Sequence, residues 1–72
     1  MTNRLFFAKQ VGGTHYKKYK IQPSQFINDN KILFAEGNVI KYVCRHKEKG
    51  GKRDIQKAIH YLEMILLRDY ND

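Results

Sequence analysis

The sequence holds one cysteine, one proline, no tryptophan, and half as many acids as bases. A lone Cys44 excludes an internal disulfide, and with it the disulfide-stapled secreted scaffold; it points to a reducing compartment. No group of Cys and His has zinc-ligand spacing. His15, His46 and His60 are scattered, so no structural metal is expected. No apolar run approaches the ~20 residues that cross a bilayer. Leu5-Phe6-Phe7-Ala8 is too short for the apolar stretch of a signal peptide, so neither a membrane partner nor a leader is expected. The expected location is cytoplasmic.

The shortage of acids says most. Fourteen Lys and Arg stand against seven Asp and Glu, for a net charge of +7 in 72 residues. Such an excess attracts nucleotides, nucleic acid or other anions. Seven cations fall within 41–57 (Lys41, Arg45, Lys47, Lys49, Lys52, Arg53, Lys57) with two acids, Glu48 and Asp54. Residues 58–72 hold a single cation, Arg68. The charge is therefore a patch and not a coat.

What is present is helical. No repeat, low-complexity tract or linker divides the chain, so 1–72 is one domain. Residues 1–22 carry aromatic and β-branched residues around Gly12-Gly13, which fits an irregular or short-stranded segment. Pro23 suits the first position of a helix over 23–30, with Phe26 and Ile27 inward and Asn30 at its end. A second helix begins near Phe34 or at Asn38 and runs to about Lys47. Asn38 is a good N-cap, and Gly37 is a poor interior residue. Gly50-Gly51 turns the chain. A third helix then carries the apolar stripe Ile55, Ala58, Ile59, Leu62, Ile65 and Leu66. The expected fold is a small, mainly α domain on an antiparallel helical hairpin. A core of this size contributes roughly 3–5 kcal/mol, so a homo-oligomer is expected, with Phe6, Phe7, Met64 and Leu67 at its interface.

The second helix has two unlike faces. Val39, Ile40, Val43 and Cys44 can face a core. Asn38, Lys41, Tyr42 and Arg45 fall at i, i+3, i+4 and i+7 on the other side. A face with cations, an amide and a phenol but no acid suits a phosphate-bearing ligand with a ring. Its plain alternative is a solvated stripe. The hairpin brings this face near Lys57 and Tyr61, while Asp54, His60 and Glu63 flank the last helix. Gly50-Gly51-Lys52-Arg53 is no phosphate loop, because the first glycine and the Ser/Thr are missing. Its free N–H groups before a helix still make a generic anion site. His15 and Tyr16, after Gly12-Gly13, are placed to close over a ligand. Tyr16 and Tyr19 among Lys17, Lys18 and Lys20 also match the basic-aromatic pattern of single-strand binders. Cys44 lacks the partners of a nucleophile and reads as a core residue.

The blocks Gly13-Thr14-His15-Tyr16, Ile21-Gln22-Pro23, Glu36-Gly37-Asn38-Val39-Ile40-Lys41-Tyr42, Arg45-x-Lys47-x-Lys49-Gly50-Gly51, Asp54-x-x-Lys57-Ala58 and His60-Tyr61-Leu62-Glu63 resemble the SaV-like family of small bacteriophage proteins. The resemblance spans about 12–66. It departs at Cys44 and His46, where relatives often carry other residues. It implies a phage protein acting in the host cytoplasm. The family includes a longer nucleotide kinase that lacks a P-loop and acts on deoxynucleoside monophosphates. By that resemblance His15, Lys41, Arg45 and Lys57 would serve catalysis. Tyr16, Asn38, Tyr42, Lys47, Lys49, Gly50, Gly51, Asp54, His60 and Tyr61 would hold a nucleotide, ATP or a deoxynucleotide, with no metal ligand among them. Two other readings stand beside this one. The chain is a non-catalytic nucleotide binder or host-protein inhibitor, or it binds nucleic acid through the basic patch.

Overall fold

The computed structural model describes residues 19–71. They form three helices, α1 (Pro23–Asp29), α2 (Phe34–Arg45) and α3 (Lys52–Asp69), and no strand occurs among the described residues. The expected short-stranded segment falls mostly on residues outside this range. α2 and α3 pack as an antiparallel hairpin, while α1 lies on α2 and does not touch α3. None of these helices is long and apolar enough to cross a membrane.

α1 starts where Pro23 supplies a preset φ and needs no N–H partner. It ends in a Schellman arrangement. The Ile32 N–H donates to the Ile27 carbonyl at 3.0 Å and the Lys31 N–H to Asn28 at 3.1 Å. Lys31 occupies the left-handed position, φ 52°, where glycine is usual. The Asn30 side-chain amide caps the same turn by donating to the Phe26 carbonyl at 2.9 Å. Pro23 and Gln25 are the buried residues of α1. Phe26, expected inward, is 44% exposed, because the short helix turns its Pro23/Ile27 side toward α2.

α2 begins at Phe34 and so runs straight through Gly37. The reason is contact with α1. A Cβ on Gly37 would lie 2.9 Å from Ile27 Cγ2, closer than real side chains approach. Glycine here gives up helix propensity, about 1 kcal/mol, to let α1 approach. We expect Gly37→Ala to destabilise the fold by about 1 kcal/mol net, overpacking outweighing the propensity gain. In an Ile27→Ala background the same substitution should be neutral or stabilising. Urea denaturation of the four proteins checks the cycle.

The apolar residues that become fully buried are small: Ala35 and Ala58, each 3% exposed. They allow α2 and α3 to approach closely. Val39, Ile40 and Cys44 are half-buried, and Val43, expected in the core, is 48% exposed. The cause is the roll of α2: its Tyr42 and Arg45 side faces α3 instead of open solvent. At the far end of the hairpin, Arg68 pairs with Glu36 and with Asp69. Before α1, the Tyr19 hydroxyl donates to the Cys44 carbonyl at 2.8 Å, which ties the incoming chain to the end of α2.

Candidate anion-binding groove

The turn between α2 and α3 is built around one carboxylate. Asp54, in the first turn of α3, is 1% exposed. It accepts hydrogen bonds from Arg45 Nε at 3.1 Å, from a terminal Arg45 nitrogen at 3.2 Å and from the Gly50 N–H at 2.9 Å. The Arg45 guanidinium above all, then the Gly50 N–H, hold the Asp54 carboxyl below its ordinary range, with burial opposing them. Both glycines are required, for different reasons. A Cβ on Gly50 would collide with the Asp54 carboxylate, and Gly51 has φ 56°.

This arrangement revises the expected anion site at the turn. The Gly50 N–H is taken by Asp54, and the Gly51 N–H donates to the His46 carbonyl at 2.7 Å. Gly50-Gly51 shapes the turn and offers a ligand neither N–H. Asp54 faces Arg45 and the turn, leaving no open carboxylate edge for a ligand. Arg45 is occupied along one edge and lies 16% exposed. Lys47 and Lys49 sit exposed on the turn.

Beyond the turn, aromatic rings form a row. Tyr61 of α3 lies between Phe34 and Tyr42 of α2, with ring centroids 5.8 Å and 6.1 Å away. The Tyr42 and Tyr61 rings are nearly parallel, 9° apart, and His60 meets Tyr61 edge-on at 5.4 Å. Three cations crowd the Tyr42 ring. Lys41 Nζ is 4.5 Å from its centroid, Arg45 Cζ 4.7 Å and Lys57 Nζ 5.2 Å. Each such contact contributes about 0.5–1 kcal/mol at exposed sites. Like charges around one ring nevertheless repel one another. Asp54 compensates Arg45, but no carboxylate among the described residues lies within ion-pair distance of Lys41 or Lys57.

An open groove of about 760 Å³ runs beside this row, lined by Tyr42, Tyr61, His60 and Lys57, with Lys52, Arg53 and Gln56. No acid lines it. Lys52, Arg53 and Gln56 had been missed as site residues, although the charge count already placed both cations in the basic patch. Phe34, 73% exposed, meets Tyr61 edge-on but does not line the groove. Asn38 lies elsewhere. It lines a separate, mostly apolar cavity of about 480 Å³ between α1 and α2, to which Phe34 and Lys41 also contribute. His15 and Tyr16 lie outside the described residues. Among the described residues no group of His, Cys, Asp and Glu is arranged to hold a metal ion.

The fold and groove define a small all-helical domain with a basic, aromatic-lined surface site. Residues 11–63 match a family described as proteins of unknown function, DUF3310, and the chain belongs to that family. No curated protein and no solved structure matches the chain.

Proposed function

We propose that the groove binds a phosphate-bearing ligand with a flat ring, and that its physiological ligand is a nucleotide. The observation that carries this reading is the crowding of Lys41 and Lys57 on the ring that stacks against Tyr61, with no carboxylate among the described residues within ion-pair distance of either. An anion placed there relieves cation repulsion and gains charge-assisted hydrogen bonds. Arg53, Lys52 and His60 supply further donors, while Tyr42 and Tyr61 supply faces for a base. The volume falls within the range of small-molecule sites.

The resemblance to SaV-like phage proteins extends the reading to phosphoryl transfer from ATP to a deoxynucleoside monophosphate in the host cytoplasm. The groove presents no carboxylate base. Transfer would therefore rest on positioning and on neutralising charge, which is what this reaction asks of a protein. Isothermal titration with mono-, di- and triphosphates tests binding. Absence of binding at low salt removes the nucleotide reading. Incubation with ATP and each deoxynucleoside monophosphate tests transfer. Binding without a diphosphate product leaves a non-catalytic binder, the form a host-directed accessory protein would take. The nucleic-acid reading stands lower, because three of the described cations, Lys52, Arg53 and Lys57, share one groove with the Tyr42 and Tyr61 rings.

A further inference from the structure

The residues by which α3 packs on α2, Asp54, Ala58, Tyr61 and Ile65, are buried or half-buried at a 4-3-4 spacing. A second series, Ile55, Ile59, Leu62 and Leu66, repeats that spacing one position later. At ~100° per residue it lies about a quarter turn round the helix. Here Ile59, Leu62 and Leu66 are 50%, 48% and 58% exposed. Neither α1 nor α2 covers them. Alternating steps of three and four apolar residues make the seam along which two helices pair.

We propose that this stripe is an interface with a second copy of the chain, formed by two antiparallel α3 helices about a two-fold axis between Ile59 and Leu62. The direction follows from charge. Antiparallel pairing sets Ile55 against Leu66, Ile59 against Leu62, and exposed Lys52 against Asp69 of the other copy. Parallel pairing would set Lys52 against Lys52 and Asp69 against Asp69. Asp69 already accepts from Arg68, and its side chain is still 41% exposed, so its carboxylate can also meet a lysine. A two-fold contact is self-complementary, so one stripe suffices for both partners. It also answers a deficit of the monomer, whose fully buried apolar residues among those described are Ala35 and Ala58. The seam extends about 16 Å at the helical rise. That is the low end for a stable interface, so micromolar association is expected. Arg53, Lys57 and His60 lie on the other side of α3, so that part of the groove stays open in the dimer, while Lys52, which also lines it, stands at the edge of the seam. The apolar seam does not rest on what the groove binds, although an anion held by Lys52 would compete with the Lys52–Asp69 pair.

Sedimentation equilibrium of the full chain at micromolar concentrations tests the proposal, and twice the chain mass is expected. Leu62→Glu sits at an exposed position and should keep its helical circular dichroism. It should raise the dissociation constant about 100-fold. Lys52→Glu and Asp69→Lys should each weaken association, and the double exchange should restore it. A monomer at every concentration overturns the interface, as does a dimer indifferent to Leu62→Glu. A dimer that weakens with Leu62→Glu but ignores the charge exchanges overturns the antiparallel register. If Leu62→Glu fails to fold, the exchange pair decides alone.

Discussion

Asp54→Asn is expected to remove most of the protein's stability at neutral pH and room temperature. The carboxylate is buried and accepts three hydrogen bonds, two from Arg45 and one from Gly50. Asparagine keeps the shape but presents one oxygen, and it leaves the guanidinium without its counter-charge. Breaking a buried ion pair from one side costs about 3–5 kcal/mol. Arg45 keeps some solvent contact, so about 2–4 kcal/mol is the reasonable range here. A single core of this size holds only about 3–5 kcal/mol in total. A urea midpoint lowered to well under half its original value is the expected reading. Gly50→Ala should approach the same outcome by steric means, since its Cβ enters the space of the carboxylate. A folded Asp54→Asn protein with an unchanged midpoint would show that the clasp contributes little.

The same group sets the acid limb. Its carboxyl is held below the ordinary value chiefly by Arg45, so the unfolded chain takes up the proton more readily than the folded one. The stabilisation is complete above the unfolded value of about 3.9 and is lost as pH falls through the lower folded value. Unfolding should therefore set in below about pH 4, with no dependence from this group above about pH 5. Glu36 and Asp69 are lowered as well, both through Arg68 at the exposed end of the hairpin. Their contribution should fade in high salt, and the buried Asp54 clasp should persist. Acid titrations followed by circular dichroism at two salt concentrations separate the two.

The hairpin was legible because its signals are local. Pro23 opens α1, Asn30 closes it, Gly50-Gly51 turns the chain, and the apolar repeat from Ile55 to Leu66 marks α3. The roll of each helix was not legible. A helical wheel gives Val39, Ile40, Val43 and Cys44 one side and Tyr42 with Arg45 another, and both had a claim on α3, the first as core and the second as the wall of a groove. That choice is made by a pair nine residues apart, Arg45 and Asp54, and by the two alanines that permit close approach. Gly37 left the start of α2 open between Phe34 and Asn38 for a similar reason: propensity argues against it, and the Ile27 side chain that requires it comes from another helix. In the groove, Tyr42, Lys57, His60 and Tyr61 come together as the pattern implied. Asn38, Lys47, Lys49 and Asp54 do not join them. Asp54 looked available as a ligand because burial is invisible in sequence.

Within the groove, two substitutions should separate its two expected tasks. Lys57→Gln removes a cation that has no carboxylate within ion-pair distance among the described residues. It should weaken nucleotide and inorganic pyrophosphate alike, by about 10–100-fold, the value of one hydrogen bond between charged groups. It should also shallow the dependence of affinity on salt. Tyr42→Leu keeps an apolar contact on Tyr61 while removing the flat face. It should weaken nucleotide by about 5–100-fold, the value of stacking one base. Affinity for pyrophosphate should change much less, because Lys57 and Arg53 hold their places on α3. Lys41 and Lys57 lose their ring in this variant, so a modest common loss is expected on top. Titration of both ligands against both proteins gives four numbers. Equal losses for nucleotide and pyrophosphate in Tyr42→Leu would mean that the ring only supports the cations and that the base binds elsewhere. Unchanged affinities in Lys57→Gln would mean that the phosphate does not sit at the Tyr42 cluster, and the proposed ligand site would fall with it.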